Sequence, residues 1–235
     1  MRKVNSSLAL VVAAMAVTVS AWAVPVPVSL TRYPGYYSGT GGEFTVLNSP
    51  WANPSLYDHV VLVEGGFQSF CLETDEYTSG IKWADLSLTA IRGGSGGPEP
   101  DPISVGTAWL YKEFAKGKLQ GYKYDKGPDR EESAKYLQQT IWWLEDEKVP
   151  EPSGNPFYGL VLNKFGSLDD ARADYNPATH GYGVAVVNMY GSLQDGKIDW
   201  NAYKQDMLVL VADGGLTLVM LGIGLVVLAA IRRRA

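Results

Sequence analysis

The chain of 235 residues holds a single cysteine, Cys71, and only two histidines, His59 and His180. One sulfur excludes an intrachain disulfide, so no framework of cross-links supports the fold. One thiol and two scattered imidazoles show none of the spacing of a zinc site. Acidic groups such as Asp169-Asp170 and those of residues 125–132 lack the oxygen-ligand spacing of a calcium loop and read as solvated helix ends and loops. Neither a metal nor a cofactor is expected. Positive charge is also scarce: removing the five cations Arg2, Lys3, Arg232, Arg233 and Arg234 takes the formal charge from −5 to −10 for the remainder. Such a body is a poor partner for nucleic acid or another polyanion. There is no internal repeat, and no low-complexity tract apart from GGSGGPEPDP at residues 93–102.

What is present is clearest at the two ends. Residues 1–7 carry Arg2 and Lys3, residues 8–19 run apolar without charge, and Ala21-Trp22-Ala23 is a small-x-small site. The pattern predicts a secretory signal over residues 1–23, cut after Ala23. A retained N-terminal anchor is the alternative, but its apolar core falls short of the roughly 20 residues that a spanning helix needs. At the far end Val211, Ala212, Asp213, Gly214 and Gly215 precede an uncharged stretch, 216–231, closed by Arg232, Arg233 and Arg234. With its flanks the stretch is just long enough for one C-terminal transmembrane helix, whose arginines hold its end in the cytoplasm. A plain tail anchor satisfies the same pattern.

The short motif, marginal helix and arginine cluster resemble the C-terminal sorting signals of the PEP-CTERM kind, in the variant Val-Pro-Asp-Gly-Gly, with Ala212 standing where that family has proline. The resemblance implies a membrane-embedded exosortase as processing partner. It also implies tethering at the inner membrane of a Gram-negative bacterium during sorting, followed by release to the cell surface or extracellular matrix.

The body, residues 24–210, is long enough for one domain with a substantial core. Its seven tryptophans and fourteen tyrosines, counted over the full chain, suit a β-rich interior. Residues 43–47, 59–64 and 68–73 read as strands, which puts Cys71 on a strand or at its end. After the glycine loop come helices. Ser104 caps one running to Gly117. Asp129 with Glu132 makes a capping-box-like start for another over 130–147. Asn155-Pro156 opens a third ending near Gly166, and Ser167 with Asp170 opens a short fourth. Residues 183–189 and 205–211 then read as strands. The expected class is α+β: a β-rich frame, sandwich or barrel-like, with a helical subdomain inserted and one C-terminal transmembrane helix.

Cys71 calls for a partner. As a nucleophile it needs a base, and His59 and His180 are the only imidazoles, without a local cysteine-protease signature. In the helix KYLQQTIWWLEDE, steps of about 100° put Ala134, Leu137, Ile141 and Leu144 on one buried stripe. Gln138 falls beside the stripe and Gln139 nearly opposite. A half-buried carboxamide must find partners. The bland alternative is a buried cysteine acting as a small hydrophobe beside a structural glutamine.

Phe70-Cys71-Leu72 together with Leu137-Gln138-Gln139-Thr140-Ile141-Trp142 resembles the paired motifs of bacterial thioester domains. Leu137 and Thr140 replace the family's Thr and Ala, and Glu73 stands where many members have Asp or Asn. The resemblance implies an internal thioester between Cys71 and Gln138, opened by amines on a target surface or an extracellular polymer to give a covalent bond. It implies a covalent binder and not an enzyme. Independently of the name, a thioester survives only where water is kept out, and Phe70, Trp142 and Trp143 supply an apolar shield.

Overall fold

The computed structural model describes residues 25–211, apart from 40, 52, 58–64, 77, 79, 92–99, 148, 196, 200 and 201. The expected signal, the expected transmembrane stretch with Arg232 to Arg234, positions 212–215, the expected strand at 59–64 and residues 93–99 of the glycine loop lie outside the described residues. Among the described residues no helix is long and apolar enough to cross a membrane. Val211 is described, and it is buried, its N–H donating to Gly183 O at 2.8 Å. Val211, the first residue of the expected sorting motif, is the last of the described residues and belongs to the core.

Short runs bounded by glycine and proline give β1 (Val26–Thr31), β2 (Phe44–Leu47), β3 (Phe67–Ser69) and β4 (Gly80–Ser87), then the two-residue strands β5 (Thr89–Ala90) and β6 (Asp101–Pro102). A block of helices follows: α1 (Val105–Ala115), α2 (Pro128–Leu144), α3 (Pro156–Phe165), α4 (Leu168–Arg172) and α5 (Pro177–His180). The chain returns in β7 (Val184–Tyr190), the two-residue strands β8 (Leu193–Gln194) and β9 (Lys197–Ile198), and β10 (Tyr203–Leu210). The class is α+β, and the helices form one insertion between β4 and β7, which are neighbours in the sheet.

Six strands make an antiparallel sheet in the order β10-β7-β4-β1-β2-β3. Its two end strands meet again. Just past β3, Cys71 bridges Met207 of β10, Leu72 N donates to Asp206 O at 3.2 Å, and Ser69 Oγ donates to Leu208 O at 2.6 Å. The sheet is barrel-like and nearly closed, and Cys71 stands on its seam. All seven residues of β7 are buried, as expected of a strand covered on both faces. Helix α1 packs against β7 and β10, and α2 lies on α1 and α3.

Most helix ends form as the sequence expects. Ser104 Oγ accepts from Thr107 N at 3.1 Å, Asn155 Oδ1 from Phe157 N at 3.0 Å, and Ser167 Oγ from Asp170 N at 3.1 Å. Gly166 closes α3 at φ 83°, a conformation that favours glycine. The start of α2 differs from expectation. No capping box forms at Asp129 and Glu132: the helix begins at Pro128, behind Gly127, without a side-chain cap. Proline at the first helical position needs no N–H and has its φ already set, while Asp129 and Glu131 sit in the first turn, where the helix dipole favours negative charge. The helix also ends at Leu144, short of the expected 147. Glu147 lies beyond it and accepts from Thr74 N and Oγ1 at 3.0 and 2.7 Å.

Candidate functional site

The β2–β3 ladder ends at the pair Phe44 and Ser69, and just beyond that end come Gly42 on one side and Cys71 on the other. There the strands do not bond directly, because the side chain of Gln138 enters between them from α2. Its Oε1 accepts from Cys71 N at 3.0 Å and from Gly42 N at 3.1 Å, and its Nε2 donates to Cys71 O at 2.8 Å. The carboxamide thus takes the place of a rung of the ladder. Cys71 comes from the β frame and Gln138 from the inserted helices, and both are buried, at 3% and 1% exposure. Two N–H donors converging on one carbonyl oxygen polarise the carbonyl and match the geometry that stabilises an oxyanion during acyl transfer. The third bond fixes which end of the amide is nitrogen.

Two glycines make room for this insertion. A Cβ on Gly41 would lie 2.3 Å from Gln138 Cγ and 2.9 Å from Trp142 Cη2. One on Gly42 would lie 2.2 Å from the Phe70 ring, at a φ of +21° that is itself unusual for other residues. Phe70, Phe114 and Leu137 are fully buried nearby in the core, while Trp142 is half-buried and covers Gly41. Burial pushes the Cys71 thiol well above its ordinary range, Glu73 adding to the effect and Arg32 opposing it. The site therefore favours neutral sulfur, as thiol or as acyl sulfur, over thiolate.

Glu73, at the position where the resemblance places Asp or Asn, is buried. Its Oε2 accepts from Gln205 Nε2 at 2.8 Å and from Asp206 N at 3.2 Å. Burial, then the Asp206 charge, raises its carboxyl well above the ordinary range.

Sequence reasoning missed the far side of the site. Glu43, next to Gly42, accepts from Arg130 Nε at 2.6 Å and Nη2 at 2.8 Å and from Tyr122 OH at 2.5 Å. Arg130 Nη1 donates to Tyr124 O, and the guanidinium lies 4.5 Å from the Tyr36 ring centroid. The signal for Arg130 was present: it is one turn before Ala134 on the apolar stripe, so a charge there has to be paired. Gly41 and Gly42 carried no comparable signal, since GTGG reads as an ordinary turn.

The remaining candidates separate from this centre. Gln139 is partly exposed and the more open of the two glutamines. His180 is exposed on α5, where its ring nitrogen contacts Asn176 and Thr179, so it offers Cys71 no base there; His59 lies outside the described residues. Among the described residues no cluster of three or more His, Cys, Asp or Glu side chains is arranged to hold a metal ion. Neither a family model, nor a curated protein, nor a solved structure matches this chain.

Proposed function

We propose that Cys71 and Gln138 condense to an internal thioester, and that the chain is an exported bacterial surface protein which uses this bond to attach covalently to amine-bearing targets. The observation that carries the reading is the Gln138 carboxamide seated between Gly42 and Cys71, with two N–H groups on its oxygen. The thiol sulfur adds to the amide carbon and the oxygen takes negative charge facing those donors. The C–N bond then breaks, and nitrogen departs as ammonia carrying the thiol proton. In the reverse sense a primary amine attacks the acyl carbon, the C–S bond breaks, and an amine proton passes to sulfur. The product is an amide at position 138 and a free thiol at Cys71. Formation turns an amide into the less stable thioester and is drawn forward by loss of ammonia to solvent; capture returns an amide and so proceeds without a further energy source, and the closed apolar surroundings hold water away until an amine arrives.

Export and sorting belong to the same proposal. The signal over 1–23 delivers the body across the inner membrane, the helix over 216–231 with Arg232 to Arg234 tethers it, and an exosortase acts at Val211, Ala212, Asp213, Gly214 and Gly215. The target is a surface amine or an extracellular polymer.

A second reading, a non-covalent envelope or matrix module with a free core cysteine, has one observation in its favour. The same three hydrogen bonds satisfy the Cys71 N–H and carbonyl and the Gly42 N–H where the ladder opens, which a purely structural glutamine would also do. Methylamine separates the two. A thioester takes up one whole methylamine and uncovers one thiol, and both effects vanish in Cys71→Ala and Gln138→Ala but persist in Gln139→Ala. A wild-type protein that neither adds methylamine nor gains a thiol, and shows no water added at Gln138, supports the non-covalent module.

A further inference from the structure

The acyl-oxygen contact depends on where Gly42 presents its N–H, and that is decided outside the site. The turn bearing Gly42 is tied at its base: Glu43 N donates to Tyr36 O at 3.3 Å and Ser38 N to Gly42 O at 2.9 Å. One side chain grips both flanks of that base. Arg130 binds the Glu43 carboxylate through two donors and lies face-on to the Tyr36 ring, and it is itself 0% exposed. Tyr122 adds its hydroxyl to Glu43, and Tyr124 O takes the remaining side of the guanidinium. Arg130 and Gln138 lie on the same helix, two turns apart. The helix that supplies the acyl group thus also holds the donor turn that receives its oxygen.

We infer that Arg130, acting through Glu43 and Tyr36, is a positioning residue for the Cys71–Gln138 centre: it fixes the Gly42 N–H against the Gln138 carbonyl. A buried, fully paired arginine is not needed for stability alone, since apolar residues of similar volume commonly serve as well. A rigid planar fork does suit the task of holding two groups in a set orientation. This inference rests on the thioester reading, and its experiment is arranged so that the two fail separately.

The experiment compares wild type, Arg130→Lys, Tyr122→Phe and Ser167→Ala, the last removing the cap of α4, which bonds Asp170 and no residue of the centre. Each is held well below its own melting temperature. Two quantities are read: the rate of opening by methylamine, and hydrogen exchange at the Gly42 N–H. Loss of an oxyanion donor typically costs about 100-fold or more in rate, and a displaced donor should cost about tenfold. Arg130→Lys is expected to slow opening by about that factor and to speed Gly42 exchange by a similar one. Tyr122→Phe, which spares the ion pair, should move both in the same direction by less, and Ser167→Ala should lower the melting temperature while moving neither. If Arg130→Lys does not fold, Tyr122→Phe carries the decision. In a protein that carries the bond, an unchanged opening rate in the folded variant overturns the inference. If wild type carries no bond, the thioester reading falls by itself, and unchanged Gly42 protection then overturns the positioning role.

Discussion

At the scale of single residues, the centre is built as much by what is missing as by what is present. Gly41 lacks a Cβ exactly where the Gln138 stem passes, at 2.3 Å. Gly41→Ala must therefore displace Gln138 or the turn. We expect it to cost about 1–3 kcal/mol, as overpacking does, and to abolish methylamine uptake even in the fraction that folds. Chemical denaturation gives the first quantity and intact mass the second. Uptake equal to wild type would mean that the contact between Gln138 and the turn has no role in the chemistry. Legibility at this scale was uneven. Cys71 stood out by being alone, and Gln138 by its place beside the stripe of Ala134, Leu137, Ile141 and Leu144, all of them buried. Gly41, Gly42 and Glu43 did not, because their importance comes from a helix more than ninety residues away, the separation between Gly42 and Gln138 being 96.

At the scale of elements, α2 brings the two halves of the site together, and its beginning is where local reading failed. Asp129 and Glu132 have the spacing of a capping box, yet Gly127-Pro128 already starts the helix. Asp129→Ala should thus cost no more than about 0.5 kcal/mol, the size of a dipole interaction. Ser104→Ala, which removes a true cap and a hydroxyl donating to Glu145 at 2.7 Å, should cost about 1 kcal/mol or more. Urea titrations of the two variants decide this, and equal losses would contradict the assignment. The starts of α1, α3 and α4 and the end of α3 were legible because serine, asparagine-proline and glycine act within a few residues of where they stand, whereas the single turn of α5 was not read. Strands β1 and β4 were not, for reasons visible in their residues. Pro27 sits inside β1, tolerated because the β1–β2 ladder covers only Ser29 to Thr31 and leaves that side of Pro27 unpaired by β2. The GIKWADLS of β4 shows no clean alternation. Closure of the sheet at Cys71 and Met207 joins its two end strands, a contact that no local pattern can announce.

At the scale of the molecule, buried carboxyls set the response to pH. Burial raises Asp85 and Asp101 to about 6 and Glu145 to about 7, and lifts Glu43, Glu73 and Asp206 as well. Asp206 lies in the bulge of β10, accepting from Ile91 N at 2.8 Å and Met189 N at 3.2 Å. Between the ordinary carboxylate range and about 7 the folded chain holds protons that the unfolded chain has released, so stability falls as pH rises through this window. Asp85 and Asp101 are partly exposed, and solvent screening reduces their share. A total loss on the order of 2 kcal/mol lowers the melting temperature by about 4–8 °C between pH 5 and pH 8. Calorimetry at the two values checks the sign, and a higher melting temperature at pH 8 would contradict it. The tail has its own outcome: the protein recovered from cells that carry an exosortase should lack residues 216–235, which mass spectrometry of the envelope and medium fractions can read. Intact Arg232 to Arg234 on that protein would leave a simple tail anchor. The central claim is the bond between Cys71 and Gln138, and the most direct measurement of it is the intact mass of the freshly purified body, taken without added amine. A mass lower than the sequence mass by one ammonia, restored in Cys71→Ala to the value its own sequence requires, is the expected result. A mass equal to the sequence mass, with Cys71 fully alkylated after unfolding and no water gained at Gln138, would contradict it.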